Sequence, residues 1–125
     1  MGGDKIMEKI KTFRDLRIWQ EGIKLVKGIY QLTKKFPKDE KYGLTTQMRR
    51  ASVSVPSNVA EGFRRNYKKE FKQFLNIALS SLAELETQIV ISKELNYINV
   101  SQEEPFLKDI DYISRMITTL KGKLN

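Results

Sequence analysis

Phe71, Leu75, Ala78, Leu82, Leu85 and Ile89 follow one another at intervals of 4, 3, 4, 3 and 4. That spacing puts them on one side of an α-helix and is the seam by which helices of a bundle interlock. Asn66 is a good N-cap for this helix. A reach to Leu95 makes it about 43 Å long at 1.5 Å per residue.

Three more segments repeat the pattern. In the first, Leu16, Trp19, Ile23, Val26 and Tyr30 make one stripe, and Ile18, Leu25, Ile29, Leu32 and Phe36 a neighbouring one. Thr12 and Asp15 form a capping box at its start. Phe36-Pro37 ends it, because the residue before proline is pushed out of helical geometry. In the second, Leu44, Met48, Ala51, Val55, Val59 and Phe63 form the row. In the last, Phe106, Ile110, Ile113, Ile117, Leu120 and Leu124 do so, with Ser101 and Glu104 as its expected capping box and Pro105 tolerated in its first turn. No segment alternates with period two, so strands are not expected. Four amphipathic helices with short links predict an all-α, up-down-up-down four-helix bundle over residues 13–125. Residues 1–12 are read as a flexible N-terminal segment, with 1–6 a candidate expression scar.

The chain has no Cys and no His. Disulfides, thiolate metal sites, Ser-His and Cys-His catalysis and Glu-x-x-His di-iron sites are therefore excluded. Glu84 and Glu86, two apart on a helix, cannot both face the core and are read as ion-pair partners rather than a metal site, and the glycines form no phosphate loop. No catalytic residue, metal or cofactor is expected. No apolar run reads as a membrane span or signal-peptide core, so no membrane partner is expected.

Charge is unevenly placed. The net charge of +8 divides into +10 over residues 1–72 and −2 over residues 73–125. Such a field attracts polyanions. Four of the seven arginines and none of the sixteen lysines lie between Tyr42 and Asn66. Arginine offers a fixed fork of donors, so this segment is specified for paired contacts rather than for solubility. Arg49, Arg50, Glu61 and Glu84 are the expected structural ion pairs, Arg50 with Glu84 or Glu86.

Between those arginine pairs, Ala51–Ala60 carries no charge and holds Pro56. The segment is read as one kinked helix, the alternative being two helices with Ser54 capping the second. A helix uncharged all round is usually buried all round. A four-helix bundle cannot cover every face of one helix, so a second copy is expected to do so. Ser52, Val53, Pro56, Ser57 and Ala60 are the candidate oligomer interface.

The run from Leu16 to Ile98 carries "FP..E.YGL..Q.RRA" (Phe36–Ala51), "NVAEG" (Asn58–Gly62) and "F..FL..AL.SL.ELETQ" (Phe71–Gln88), with the Trp19-Gln20 pair before them. In these it resembles the four-helix-bundle proteins encoded in intervening sequences of bacterial 23S rRNA genes, a group that includes accessory proteins of diversity-generating retroelements. The resemblance implies a cytoplasmic protein and a barrel-like homo-pentamer. For the accessory members it implies binding of RNA or DNA and of a reverse transcriptase. It implies no catalytic residues.

In an up-down-up-down bundle the termini and the second-to-third turn share one end. That end gathers Arg14, Arg17, Arg64 and Arg65, then Lys68, Lys69 and Lys72, and finally Lys121 and Lys123. Tyr67 lies among them as a base-stacking ring. Repeated cations suit a phosphate backbone and an aromatic face suits unpaired bases. The expected function is non-enzymatic binding of RNA or DNA by a homo-oligomer. The alternative is a protein-interaction scaffold, for example a reverse-transcriptase partner.

Overall fold

The computed structural model describes residues 10–124. They form four helices, α1 (Arg17–Thr33), α2 (Leu44–Phe63), α3 (Lys68–Glu94) and α4 (Val100–Lys123), with single 3-10 turns at Phe13–Asp15 and Lys38–Glu40. Each helix packs on its chain neighbours, and α1 against α4 closes the ring, giving the expected bundle. Residues 1–9, most of the expected N-terminal segment, lie outside the described residues. Ile10 already packs against the core.

The apolar rows become the core. Phe71, Leu75, Ala78, Leu82, Leu85 and Ile89 are all buried, as are Met48, Ala51, Val55 and Val59 of α2 and Ile110, Ile113 and Ile117 of α4. Each fully buried Leu or Ile contributes about 1.5–3 kcal/mol by leaving water. The two stripes of α1 separate. Ile18, Leu25 and Ile29 are buried, whereas Trp19, Ile23 and Val26 are half-covered and Tyr30 is exposed.

Helix ends are fixed by local polar chemistry, and here several expectations shift. The Thr12–Asp15 capping box forms with both its bonds, but it caps the 3-10 turn, and α1 starts at Arg17. α1 stops at Thr33, three residues before Phe36. Tyr67, not Asn66, is the extended N-cap residue of α3. At its other end Asn96 takes φ 62°. Its N–H bonds the Lys93 carbonyl at 3.0 Å, and the Tyr97 N–H bonds that of Ser92 at 2.9 Å. This is a Schellman stop, and asparagine suits its left-handed position. Asn99, not Ser101, caps α4. Its Oδ1 accepts from the Gln102 N–H and the Gln102 Oε1 accepts from its own N–H, each at 2.9 Å. Pro105 thus falls in the second turn of α4 and is exposed.

Pro56 lies inside α2, which runs through it as one helix. The proline ring is buried against α1: a Cβ built on Gly22 would stand 3.3 Å from its Cβ and Cδ. The small residue on α1 admits the bulky ring on α2. Ser52 is fully buried and donates to the Arg49 carbonyl at 2.8 Å. Ser54 shares a 2.8 Å hydrogen bond with Ser81 of α3, and the Asn58 amide donates to the Ser54 carbonyl and hydroxyl. The expected placement of Ser52 and Pro56 on an oligomer interface is therefore corrected. This chain's own helices cover them, and only Val53, Ser57 and partly Ala60 remain on the surface.

α3 is more apolar than its burial requires. By length and composition it meets the requirement for a membrane span, which the sequence reading had not recognised, yet only 39% of its most apolar window is buried. Glu84 and Glu86 interrupt that window. Ile77, Val90 and Ile91 stand exposed on its outer side.

Candidate nucleic-acid interface

The basic end is built by a tight crossing of α2 and α3. A Cβ on Gly62 would fall 2.7 Å from the Phe74 Cβ and 2.9 Å from the Phe71 Cδ1, so only glycine lets the two helices meet there. Phe63 and Phe71 pack edge to face at 6.1 Å. The connection from Arg64 to Tyr67 is exposed throughout. Beside it, a surface hollow of about 220 Å³ is lined by Phe63, Arg65, Asn66, Tyr67, Lys68, Phe71 and Leu124, joining this turn to the end of α4. The 3-10 turn ahead of α1 closes on the same end: Arg64 lies 5.2 Å over the Phe13 ring, which packs at a tilt against Trp19.

The structure therefore brings the expected cations together. Arg14, Arg17, Arg64, Lys68, Lys69 and Lys123 are exposed, Lys72 and Lys121 half-buried. The Tyr67 ring is 68% exposed, free for stacking. Two helices start and two end here, so their dipoles offset one another and the side chains supply the field.

Arg65 is placed differently from the expectation. Its guanidinium bonds Glu61 at 3.0 Å, approaches Glu70 at 3.9 Å and lies 5.0 Å over the Phe74 ring. It is half neutralised before any ligand arrives, and it is the partner that Glu61 finds, four residues further along the chain. Exposed pairs of this kind contribute about 1 kcal/mol or less.

Arg49 and Arg50 also depart from the ion-pair expectation. The Arg49 guanidinium donates to the Thr33 hydroxyl at 2.9 Å and to the Tyr30 carbonyl at 3.4 Å, with its plane 4.5 Å from the Tyr30 ring centre. It binds the C-terminal end of α1, where positive charge is favoured, and shares the Tyr30 carbonyl with the Lys34 N–H. Arg50 is exposed and has no carboxylate partner among the described residues; Glu84 accepts from Gln88 instead. A carbonyl partner leaves no trace in residue type, which is why an acid was sought.

One contact at the opposite end escaped the sequence reading. The Tyr97 hydroxyl donates to Glu40 Oε2 at 2.7 Å, while Glu40 Oε1 accepts from the Leu44 N–H at 3.1 Å. Glu40 thus caps α2 and ties the first loop to the third. The Tyr97 hydroxyl and then the Leu44 amide hold the Glu40 carboxyl below its usual range, and that bond raises the Tyr97 phenol above its own. Among the described residues no three acidic side chains gather as a metal site would require.

A four-helix bundle with one strongly basic end defines the class of protein. The family described as 23S rRNA-intervening sequence protein matches residues 14–119, and the chain belongs to that family. A solved structure from Bacteroides thetaiotaomicron, described as a protein of unknown function from the S23 ribosomal protein family, has the same fold. It superposes with a TM-score of 0.75 at 20% identity, over 83% of this chain and 97% of that one. No curated protein matches the chain.

Proposed function

We propose that this protein is a non-enzymatic, homo-oligomeric binder of RNA or DNA, acting through its basic end with little sequence preference. The supporting observation is the convergence of three chain regions on one exposed cationic surface around Tyr67. Phosphates meet Arg14, Arg17, Arg64, Lys69 and Lys123, and an unpaired base stacks on Tyr67. Cytoplasmic location and pentameric assembly are parts of the same reading, taken from the family likeness.

Assembly has its own support. A closed ring of more than two subunits needs two different patches on each protomer. Apolar side chains are left uncovered in more than one place. Tyr30 and Val53, each 39% exposed, line one hollow between α1 and α2. On α3, Val90 and Ile91 are exposed, and Ile77 separately nearer its start. Repeating the basic end around a ring multiplies weak contacts with a long strand.

The test is single-stranded RNA binding across a salt series, for the native chain and for one with Arg64, Arg65, Lys68 and Lys69 reversed to Glu. Weaker binding and a flatter salt dependence are expected. Unchanged affinity would remove the proposed surface. The exposed apolar faces also favour a second reading, a scaffold for a protein partner. Partner capture that survives high salt while RNA binding is absent would favour it.

A further inference from the structure

α1 and α4 meet less extensively than any other neighbouring pair in the ring. They approach closely at Gly28, where a Cβ would lie 3.0 Å from the Phe106 ring. Nearer the basic end a gap opens on the surface between them. The gap is a groove of about 500 Å³, within the range of small-molecule sites. Its walls are apolar: Leu16 and Ile18 from the start of α1, and Tyr112, Met116 and Leu120 from α4. Thr119 and the Tyr112 hydroxyl are its only uncharged side-chain hydrogen-bonding groups.

The mouth is cationic. Arg17, Arg115 and Lys123 border it. Arg115 is matched by Asp111 at 3.0 Å. Arg17 has no carboxylate partner among the described residues, and its guanidinium lies 5.9 Å from the centre of the Tyr112 ring. Lys123 likewise has none. The groove therefore combines a greasy floor with two uncompensated cations on its edge and almost nothing that reads polar ring edges. A base or sugar would leave its hydrogen-bonding groups unmatched there. An alkyl chain leaves none unmatched, and a single anionic head satisfies the rim.

We propose that this groove binds a medium-chain fatty carboxylate, with the chain against Met116 and Leu120 and the head group between Arg17 and Lys123. Met116, half-buried and unbranched, adjusts to the chain. The site shares two rim cations with the proposed nucleic-acid surface, but its floor is separate from it.

The full-length protein is titrated with decanoate below its micelle concentration, read by displacement of a dansyl-labelled undecanoate. One saturable site per chain is expected, with the far-UV helix signal intact. Octanoate should bind more weakly by about fourfold per methylene removed. Met116→Trp fills the floor and should weaken binding at least about tenfold while RNA binding is retained. Thr119→Trp, at an exposed position, blocks the groove without touching the core and guards against a folding defect in the first variant. Arg17→Gln with Lys123→Gln should weaken decanoate by about threefold to tenfold and leave decanol unchanged. The proposal is overturned by non-saturable uptake with loss of helix, by full affinity in the filled variants, or by decanol binding as well as decanoate. RNA binding that fails while decanoate binding persists would overturn the nucleic-acid reading alone.

Discussion

The Arg49 guanidinium donates to the Thr33 hydroxyl 2.9 Å away, joining positions sixteen residues apart in sequence. Thr33 in turn donates to the Ile29 carbonyl at 2.8 Å. One arginine on α2 therefore fastens the last turn of α1.

Replacing Arg49 tests that fastening. Arg49→Ala should lower the unfolding free energy by about 1.5–3 kcal/mol, the usual value of hydrogen bonds to a charged group. Arg49→Lys should recover little, because an ammonium cannot reach hydroxyl and carbonyl together while stacked on Tyr30. Urea unfolding of the single variants and of the pair with Thr33→Val gives the coupling. Additive losses would show that the two side chains do not act together.

Two glycines should respond in opposite senses to alanine. At Gly62 the new methyl meets the Phe74 Cβ at 2.7 Å, which backbone-linked atoms cannot easily yield. A loss of about 1–3 kcal/mol is expected, the cost of overpacking. At Gly122, in the last turn of α4, the added methyl would point into open space. There alanine should stabilise by up to about 1 kcal/mol through helix propensity. Thermal melts of both variants decide, and equal shifts would contradict the packing described at the α2–α3 crossing.

The Glu40–Tyr97 bond should give stability a window in pH. The Glu40 carboxyl is lowered in the folded state, so its contribution is present above its unfolded pKa and is lost as pH falls through the folded one. The Tyr97 phenol is raised, so its contribution is complete below the ordinary phenol range and is lost as pH rises through the folded pKa. Tyr97→Phe should therefore cost most at neutral pH and least at both extremes. Glu40→Gln should flatten the acid side. Chemical unfolding at several pH values measures both, and a constant gap between native and Tyr97→Phe chains would count against the linkage.

Self-association should depend on the outer side of α3. Val90→Glu with Ile91→Lys leaves the core row untouched, since both side chains are exposed. The pair should shift the native assembly toward monomer by light scattering at micromolar concentration, without lowering the melting temperature of the monomer. A native chain that is already monomeric there would overturn the assembly reading.

The helices were legible because burial imposes a period that nothing else in the chain imitates. Phe71 to Ile89 had to share a face whatever lay beside them. The caps were less legible because the same signal occurs twice, two residues apart. Asn99 with Gln102 and Ser101 with Glu104 both satisfy the pattern. The α3 stop decides between them, since it ends at Tyr97 and leaves only Ile98 before the next cap. The gathering of cations at one end followed from topology alone. The partners of individual arginines did not. Arg65 is drawn to Glu61 one turn back, and Arg49 to a carbonyl on another helix, a group every residue carries. The covering of Pro56 was misjudged for a similar reason. A bulky ring looks for outside space until a glycine on the neighbouring helix, here Gly22, is seen to make room.

The parity of the bundle has a practical consequence. Leu16 and Lys123 border one groove, and Leu124 shares a hollow with Tyr67 and Lys68. Any polypeptide spliced ahead of Ile10 or after Leu124 departs from the cationic end. A purification handle joined directly after Leu124 would crowd the surface under assay, and an acidic one would titrate its charge. The loops tied by Glu40 and Tyr97, at the far end, are the places where a label leaves that surface open.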